Sequence, residues 1–150
     1  MLKRSVRRGG EQLRTLRGKI AAGDKVRLIV DDGQFTKAWT VEGFRVFPEN
    51  ATGPDVQGIL ALDQDGLTSA WNAADNRQIG WSWFYVAELP GTGGGDTGGF
   101  IVPNHVVVRD LWLENFSSVP MNYLIDVRPT TISEDQAILA LLQERSQDDL

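Results

Sequence analysis

Residues 105–128, HVVVRDLWLENFSSVPMNYLIDVR, form the stretch of sequence that decides the fold. After residue 120, apolar and polar side chains alternate with one exception, Leu124. The apolar set is Met121, Tyr123, Ile125 and Val127. A repeat of two is that of a half-buried strand. Residues 106–113 begin apolar on both faces, as in a strand covered on both sides. The polar residues 115–120 favour a turn, so the stretch predicts a hairpin of two long strands.

Other strand-like segments occur at intervals of roughly ten residues, with turn-forming residues between them. They are 25–30, 36–47, 56–63 and 78–89. In the second of these the apolar positions change parity at Gly43, which predicts a β-bulge or bend there. The pattern predicts a mainly β protein, with residues 24–150 forming a single antiparallel β-sandwich or jelly-roll-like domain.

Two helices are predicted at the ends of the chain. Residues 133–147 form the better one, with Ser133 as N-cap and Gln136 at the capping-box position. Its apolar face needs a surface to cover, and it consists of Ile138, Leu139, Leu141 and Leu142. Residues 11–22 have apolar side chains at helical spacing, although Gly18 weakens the pattern.

The composition describes a globular domain without thiol chemistry. The 150 residues are 41% hydrophobic and 23% charged and include no cysteine, so disulfides and thiolate metal sites are excluded. No apolar run is long enough for a membrane helix, and the N-terminus lacks the apolar region of a secretory signal. We expect neither a bound metal nor a cofactor.

Charge is distributed unevenly along the chain. Residues 1–27 contain nine Lys or Arg and two acidic residues, whereas the other 123 residues contain six basic and eighteen acidic ones. The sequence therefore predicts a basic N-terminal arm, residues 1–23, on an acidic body. The arm is expected to become ordered only on assembly. The cations expected to make its contacts are Lys3, Arg4, Arg7, Arg8, Arg14, Arg17 and Lys19.

The arm has four interpretations. It could bind nucleic acid, because clustered cations neutralise phosphates. It could lie on the acidic body of a neighbouring subunit, or serve as an organelle transit peptide, since it is rich in Arg and poor in acids. A solvated tail without a partner is the fourth.

Tryptophan is unusually frequent, with five residues. Trp81, Trp83 and Tyr85 share one strand face, and Trp71 is near in sequence. They could form a stacking platform for sugars or bases. We favour a place in the sandwich core, because large aromatic side chains carry much of a core's burial.

Other motifs are weak. His105 is the single histidine, and we expect it to be a surface or turn residue rather than a catalytic one. Residues 63–66 begin like a calcium loop but lack its later ligands, so a plain turn is expected. Asp31 and Asp32 could act as a paired acid and base, but a turn with Gly33 is expected. The glycine-rich segment 90–99 lacks the ending of a phosphate-binding loop and is expected to be flexible.

A basic arm, a β body without cysteine, a glycine-rich loop and a short terminal helix together resemble the structural proteins of bacteriophage particles. The resemblance is carried by MNYLIDVRPTTISEDQAILALLQERSQDDL, residues 121–150, and covers about the last 45 residues. It implies a non-enzymatic capsid, capsid-associated or tail-neck protein. The implied partners are copies of itself in a homo-oligomer, other virion proteins and packaged nucleic acid, without a membrane span. The implied location is the virion, assembled in the host cytoplasm.

Two other classes of protein remain open. A carbohydrate-binding β-sandwich would use exposed Trp71, Trp81 or Trp83. An enzyme with carboxylate chemistry of the glycosidase type would have its site scattered over loops.

Overall fold

A computed structural model describes residues 12–29, 37–50, 52–86, 95–103, 105–108, 110–131 and 133–145. Within these ranges the chain is mainly β, as the strand spacing predicts, with two antiparallel sheets and one short helix. In chain order the elements are β1 (Arg14–Ile20), β2 (Lys25–Ile29), β3 (Lys37–Pro48), β4 (Val56–Ala61), β5 (Gln78–Val86), β6 (Gly95–Ile101), β7 (Val106–Val107), β8 (Leu111–Asn115), β9 (Met121–Thr131) and α1 (Glu134–Arg145).

The two sheets face each other across one apolar core. The four-stranded sheet has the order β1-β9-β3-β7, and the five-stranded sheet has the order β2-β8-β4-β5-β6. Strand β3 lies against β4, β5 and β6 of the opposite sheet. Buried side chains from both sheets fill the space between them, among them Phe44, Val46, Leu60, Leu113 and Ile125. The arrangement is sandwich-like.

The predicted alternation after residue 120 is confirmed, but the predicted hairpin is wrong. β9 pairs with β1 and β3, whereas β8 pairs with β2 and β4 in the other sheet. The connection between them is fixed by the buried Asn115, whose Nδ2 donates to the carbonyls of Ile20, Ala21 and Val119. The predicted strand over residues 106–113 is in fact two strands. The chain leaves the four-stranded sheet after β7 and enters the five-stranded sheet at β8.

The predicted bulge at Gly43 is confirmed. The pairing of β3 with β9 shifts register between Val41 and Gly43. A Cβ atom at position 43 would lie 2.8 Å from Oδ2 of Asp126, so the close approach of that carboxylate suits glycine.

The predicted helix over residues 11–22 is wrong. Arg14–Ile20 is strand β1, in register with β9 from Arg14 opposite Val127 to Ile20 opposite Met121. Ile20 is buried in the common core, so pairing and burial outweigh a weak helical pattern interrupted by Gly18.

Strand β1 includes part of the predicted arm. Residues 14–20 pair with β9 of the sandwich, whereas the expectation that the arm becomes ordered on assembly stays a prediction. Residues 1–11, with Lys3, Arg4, Arg7 and Arg8, lie outside the described residues.

The prediction of a loop over residues 90–99 is wrong at its end, because Gly95–Ile101 is strand β6, paired with β5. Residues 87–94 and the predicted turn at 31–33 lie outside the described residues.

Helix α1 begins with the predicted capping box. Gln136 N donates to Ser133 Oγ at 3.1 Å, and Ser133 N donates to Gln136 Oε1 at 3.0 Å. Three residues of the predicted apolar face, Ile138, Leu139 and Leu142, are 55%, 57% and 57% exposed, so this part of the face is uncovered among the described residues; the Leu141 side chain lies outside them. Within the described ranges no helix is long and apolar enough to cross a membrane.

Candidate functional site: an aromatic pocket

The outer face of β5 and β6 carries three side-by-side residue pairs. Trp81 lies opposite Phe100, Trp83 opposite Gly98, and Tyr85 opposite Asp96. Gly80, the position just before Trp81, faces the core instead, where a Cβ would contact Leu60 and Phe44. Because strand side chains alternate between faces, Trp81, Trp83 and Tyr85 point away from the core, whereas Phe84 packs against it.

Residues 62–77 run over this outer face and add a wall to it. They contribute Trp71, whose ring centroid is 5.7 Å from that of Trp83 with 54° between the ring planes. On the other side, Trp83 lies 5.3 Å from Phe100 at 44°. The rings are tilted rather than stacked, so an open pocket of about 620 Å³ remains, lined by Trp71, Ala73, Trp81, Trp83, Tyr85, Asp96 and Phe100. That volume is in the range of ligand-binding pockets.

Gln78 holds two walls of the pocket in place from beneath. Its Nε2 donates to the carbonyls of Gly66 and Ala70 at 2.9 and 3.0 Å. Its Oε1 accepts hydrogen bonds from Trp81 Nε1 at 2.8 Å and from Asn72 N at 2.9 Å. This buried amide therefore joins the segment that carries Trp71 to the strand that carries Trp81.

Glu114 anchors the same segment from strand β8. Its carboxylate is buried and accepts hydrogen bonds from Ser69 N at 3.0 Å and Ser69 Oγ at 2.6 Å. Ser69 has a φ of 60°, in the left-handed region, where non-glycine residues are uncommon. The two hydrogen bonds hold this turn and thus the path of the chain towards Trp71.

Asp75 fixes the end of the segment. It is buried, and Arg77 donates to it from N, Nε and one terminal nitrogen at 2.9 to 3.0 Å. Burial raises the pKa of Asp75, but the hydrogen bonds and the charge of Arg77 lower that pKa by more, so the net shift is downward. The carboxylate stays charged well into the acidic range.

Gly98 supplies the floor under Trp83. A Cβ atom there would lie 2.4 Å from the Trp83 ring, so only glycine lets the indole lie against β6. The two rings that contact Trp83 are exposed to solvent: Phe100 is 65% exposed and Trp71 is 41% exposed. The aromatic cluster is therefore accessible to solvent.

The prediction that these aromatic residues lie in the sandwich core is wrong. The core between the sheets is mainly aliphatic, and the predicted platform residues Trp71, Trp81, Trp83 and Tyr85 meet on the outer face instead. The structure brings all four together. Phe100 and Asp96 are not among the platform residues that the sequence predicts, because the glycine-rich pattern of residues 90–99 predicts a loop where β6 begins.

The polar groups of the pocket are few. The Tyr85 hydroxyl accepts a hydrogen bond from Gln57 Nε2 at 3.3 Å. The indole N–H groups of Trp71 and Trp81 already donate inside the protein, to Gly58 O and Gln78 Oε1. Asp96 is exposed, and its carboxylate has no hydrogen bond or ion pair within the described part of the chain. The pocket thus offers aromatic faces, the Tyr85 hydroxyl and one carboxylate.

The other predicted motifs do not build a second site among the described residues. Asp63 accepts a hydrogen bond from Asp65 N in a short 3-10 turn, as expected for a plain turn. No group of three or more His, Asp or Glu residues able to hold a metal ion occurs there. Nε2 of His105 is buried and has no hydrogen-bond partner in the same ranges, and burial lowers the pKa of this imidazole.

Three cations assigned to the arm lie on β1, at the edge of the four-stranded sheet. Lys19 forms an ion pair of 2.8 Å with Glu49 of the body. Arg14 and Arg17 are exposed. Charged side chains on an edge strand hinder pairing with a strand of another molecule, which is a structural role for these residues.

Comparison with known proteins adds no relative. No family model, no curated protein and no solved structure matches the chain.

Proposed function

We propose that this protein is a non-enzymatic structural subunit that assembles with copies of itself into a virus particle, as a capsid, capsid-associated or tail-neck protein of jelly-roll type. The observation that carries the proposal is the uncovered apolar face of α1. Other virion proteins and packaged nucleic acid are further partners in this proposal, and the virion assembled in the host cytoplasm is its location. The resemblance of residues 121–150 to phage virion proteins supplies the particular setting.

Helix α1 exposes apolar side chains that a covering surface would stabilise. A 12-residue helix is marginal in water by itself, and most helical stability in proteins comes from packing. Burying one Leu or Ile side chain contributes about 1.5–3 kcal/mol. Ile138, Leu139 and Leu142 are each more than half exposed, so a neighbouring subunit that covered them would gain much of that free energy.

A matched set of variants tests this proposal. We expect Ile138→Glu, Leu139→Glu and Leu142→Glu together to convert the assembled protein into monomers that retain the β spectrum in circular dichroism. Leu13→Glu is the control, because Leu13 is also an exposed aliphatic residue but lies outside α1. Light scattering after size exclusion gives the mass. A wild-type monomer at every concentration, or an unchanged oligomer in the triple variant, would refute the proposal.

The arm must be tested with a shorter deletion than the sequence suggested. Removing residues 1–23 would also remove β1 from the four-stranded sheet. Removing residues 1–10 leaves β1 in place. We expect that truncated chain to keep its β structure and to assemble less well.

A second candidate function is carbohydrate binding, and the aromatic pocket is the observation that favours it. Sugar rings stack on exposed aromatic faces, and the carboxylate of Asp96 could accept hydrogen bonds from hydroxyl groups. Titration of tryptophan fluorescence with cellohexaose, chitohexaose and maltohexaose tests this function. A saturable response that is lost in Trp83→Ala would support it, and no response to a broad set of oligosaccharides would remove it.

A further inference from the structure

We propose that the aromatic pocket receives the basic N-terminal segment, residues 1–8, of a second copy of this chain, with a Lys or Arg side chain placed against the aromatic rings and Asp96. This inference rests on the proposed self-assembly and names a contact that would drive it.

The pocket has the chemistry of a site for an organic cation. Trp71, Trp83 and Phe100 present ring faces that carry negative electrostatic potential, and cations are attracted to such faces within about 6 Å of the centroid. The tilt between neighbouring rings leaves these faces open to the same space. A guanidinium group gains further because it is planar and stacks on aromatic rings.

Asp96 supplies the formal negative charge. It stands across from Tyr85 at the pocket wall, and no described cation is paired with it. The nearby indole groups of Trp71 and Trp81 have their N–H groups turned to Gly58 and Gln78, so they present rings rather than donors to a ligand. A cation suits this set of groups better than an anion does.

The chain itself contains a matching ligand. Residues 1–8 contain Lys3, Arg4, Arg7 and Arg8 and no acidic residue. The pocket of about 620 Å³ is large enough for more than one such side chain. Because the rest of the chain has an excess of acidic residues, approach of this segment to another copy is also favoured over longer distances.

The position of β1 favours a second copy over the same molecule. β1 is an edge strand of the four-stranded sheet and contacts β2, an edge strand of the five-stranded sheet, whereas the pocket lies on the outer face of β5 and β6, at the other end of the five-stranded sheet. A path around the molecule crosses about three strand spacings of 4.8 Å and a sheet separation of about 10 Å. That path is about 25 Å and takes roughly seven extended residues counted back from residue 12, so Lys3 and Arg4 could reach the pocket of their own chain, whereas Arg7 and Arg8 reach a pocket only in a second copy.

Such a contact joins different surfaces of the two partners. A head-to-tail interface of this kind closes into a ring or continues as an open array. It therefore suits a subunit of a larger assembly and differs from the two-fold contact of a simple dimer.

The test uses the full chain with Lys3, Arg4, Arg7 and Arg8 changed to Gln, so that its own segment does not compete. Its tryptophan fluorescence is titrated with the peptide MLKRSVRRGG and with the same peptide carrying Gln at the four basic positions. We expect saturable binding of the basic peptide that weakens with salt, and at least about tenfold weaker binding of the neutral peptide.

Variants of the receptor locate the binding. Asp96→Asn is expected to weaken binding of the basic peptide about fivefold to tenfold, and Trp83→Ala to abolish it. Asp24→Asn is the control, since Asp24 is an exposed carboxylate far from the pocket in the strand order. Equal affinity for both peptides, no effect of Asp96→Asn, or binding of cellohexaose without binding of the peptide would overturn the inference.

Light scattering separates this inference from the proposed assembly. If the α1 triple variant dissociates while the four-Gln variant and Asp96→Asn assemble like wild type, assembly stands and the pocket contact is refuted. If the four-Gln variant and Asp96→Asn each weaken assembly about tenfold, and together no more than either alone, the two groups act in one contact. A wild-type chain that stays monomeric refutes both.

Discussion

The indole Nε1 of Trp81 donates a hydrogen bond of 2.8 Å to Oε1 of the buried Gln78. The same glutamine binds the backbone of the segment that carries Trp71. One buried polar side chain thus sets the relative position of two aromatic walls of the pocket. Buried polar groups of this kind are costly to leave without partners, which makes the arrangement specific.

Gln78→Leu is expected to destabilise the protein and to disorder the pocket. The change leaves the Trp81 indole, the Asn72 amide and two carbonyl groups without their partner, and each buried group so left costs about 1–3 kcal/mol. We expect a loss of at least about 2 kcal/mol in the free energy of unfolding in urea. The exposed Gln64 is the control, and Gln64→Leu should change stability by less than about 0.5 kcal/mol. Equal stability of the two variants would contradict the role of Gln78.

Much of the β body could be predicted from the sequence, because strand periodicity and turn residues are local signals. The alternation along β9, the break at Gly43 and the capping box of Ser133 and Gln136 each depend on neighbouring residues only. The structure confirms all three.

The pairing of strands could not be predicted in the same way. The strands on either side of residues 116–120 look like a hairpin, but the Asn115 amide turns the chain from one sheet to the other through contacts with Ile20 and Ala21, about 95 positions earlier. Contacts at that separation leave no periodic signal. For the same reason β1 was mistaken for a helix, since its partner β9 is more than 100 residues away.

The aromatic pocket was predicted in part. The sequence grouped Trp71, Trp81, Trp83 and Tyr85, but hydrophobicity alone does not tell which face of a sheet is covered. The sequence does not predict strand β6, because the strand is rich in glycine and glycine is depleted in strands. The fold needs Gly98 there for a steric reason, the ring of Trp83 lying against it. A glycine within a strand can mark such a close approach, and this was the available signal.

Gly43→Ala is expected to destabilise the protein through its partner Asp126. The new Cβ would lie 2.8 Å from Asp126 Oδ2, so the carboxylate must move and give up its 2.8 Å hydrogen bond from Thr15 Oγ1. We expect a loss of about 1 kcal/mol in urea unfolding, the net contribution of one hydrogen bond. In an Asp126→Ala background the collision is gone, and Gly43→Ala should be neutral or slightly stabilising. The same loss in both backgrounds would show that the bulge itself, and not Asp126, requires glycine.

Asp75→Asn is expected to lower stability by about 1–3 kcal/mol near neutral pH, because Arg77 loses a charged hydrogen-bond partner. The lowered pKa of Asp75 sets the pH dependence. A carboxylate with a depressed pKa in the fold contributes stability above its unfolded pKa of about 3.9, and loses it as the pH falls through the folded pKa.

The measurement for Asp75 is urea unfolding of both proteins from pH 7 to pH 3. The difference between wild type and Asp75→Asn should be constant above about pH 5 and shrink below about pH 4. Asp65→Asn serves as control, since Asp65 is an exposed carboxylate in the nearby turn. A difference that persists unchanged to pH 3 would mean that the charge of Asp75 is not what stabilises the segment.

His105 is expected to make the protein less stable as the pH falls below about 6.5. Burial lowers the pKa of this imidazole in the fold, whereas in the unfolded chain it titrates near 6.5. Between the folded and the unfolded pKa the unfolded state binds more protons, so stability rises with pH across that window. As His105 is the single histidine and most carboxylates titrate below pH 5, the window from about pH 5 to 6.5 reports on it. His105→Gln should flatten the dependence of the urea midpoint on pH in this window, while a slope equal to that of wild type would show that His105 takes up its proton without cost in the folded protein.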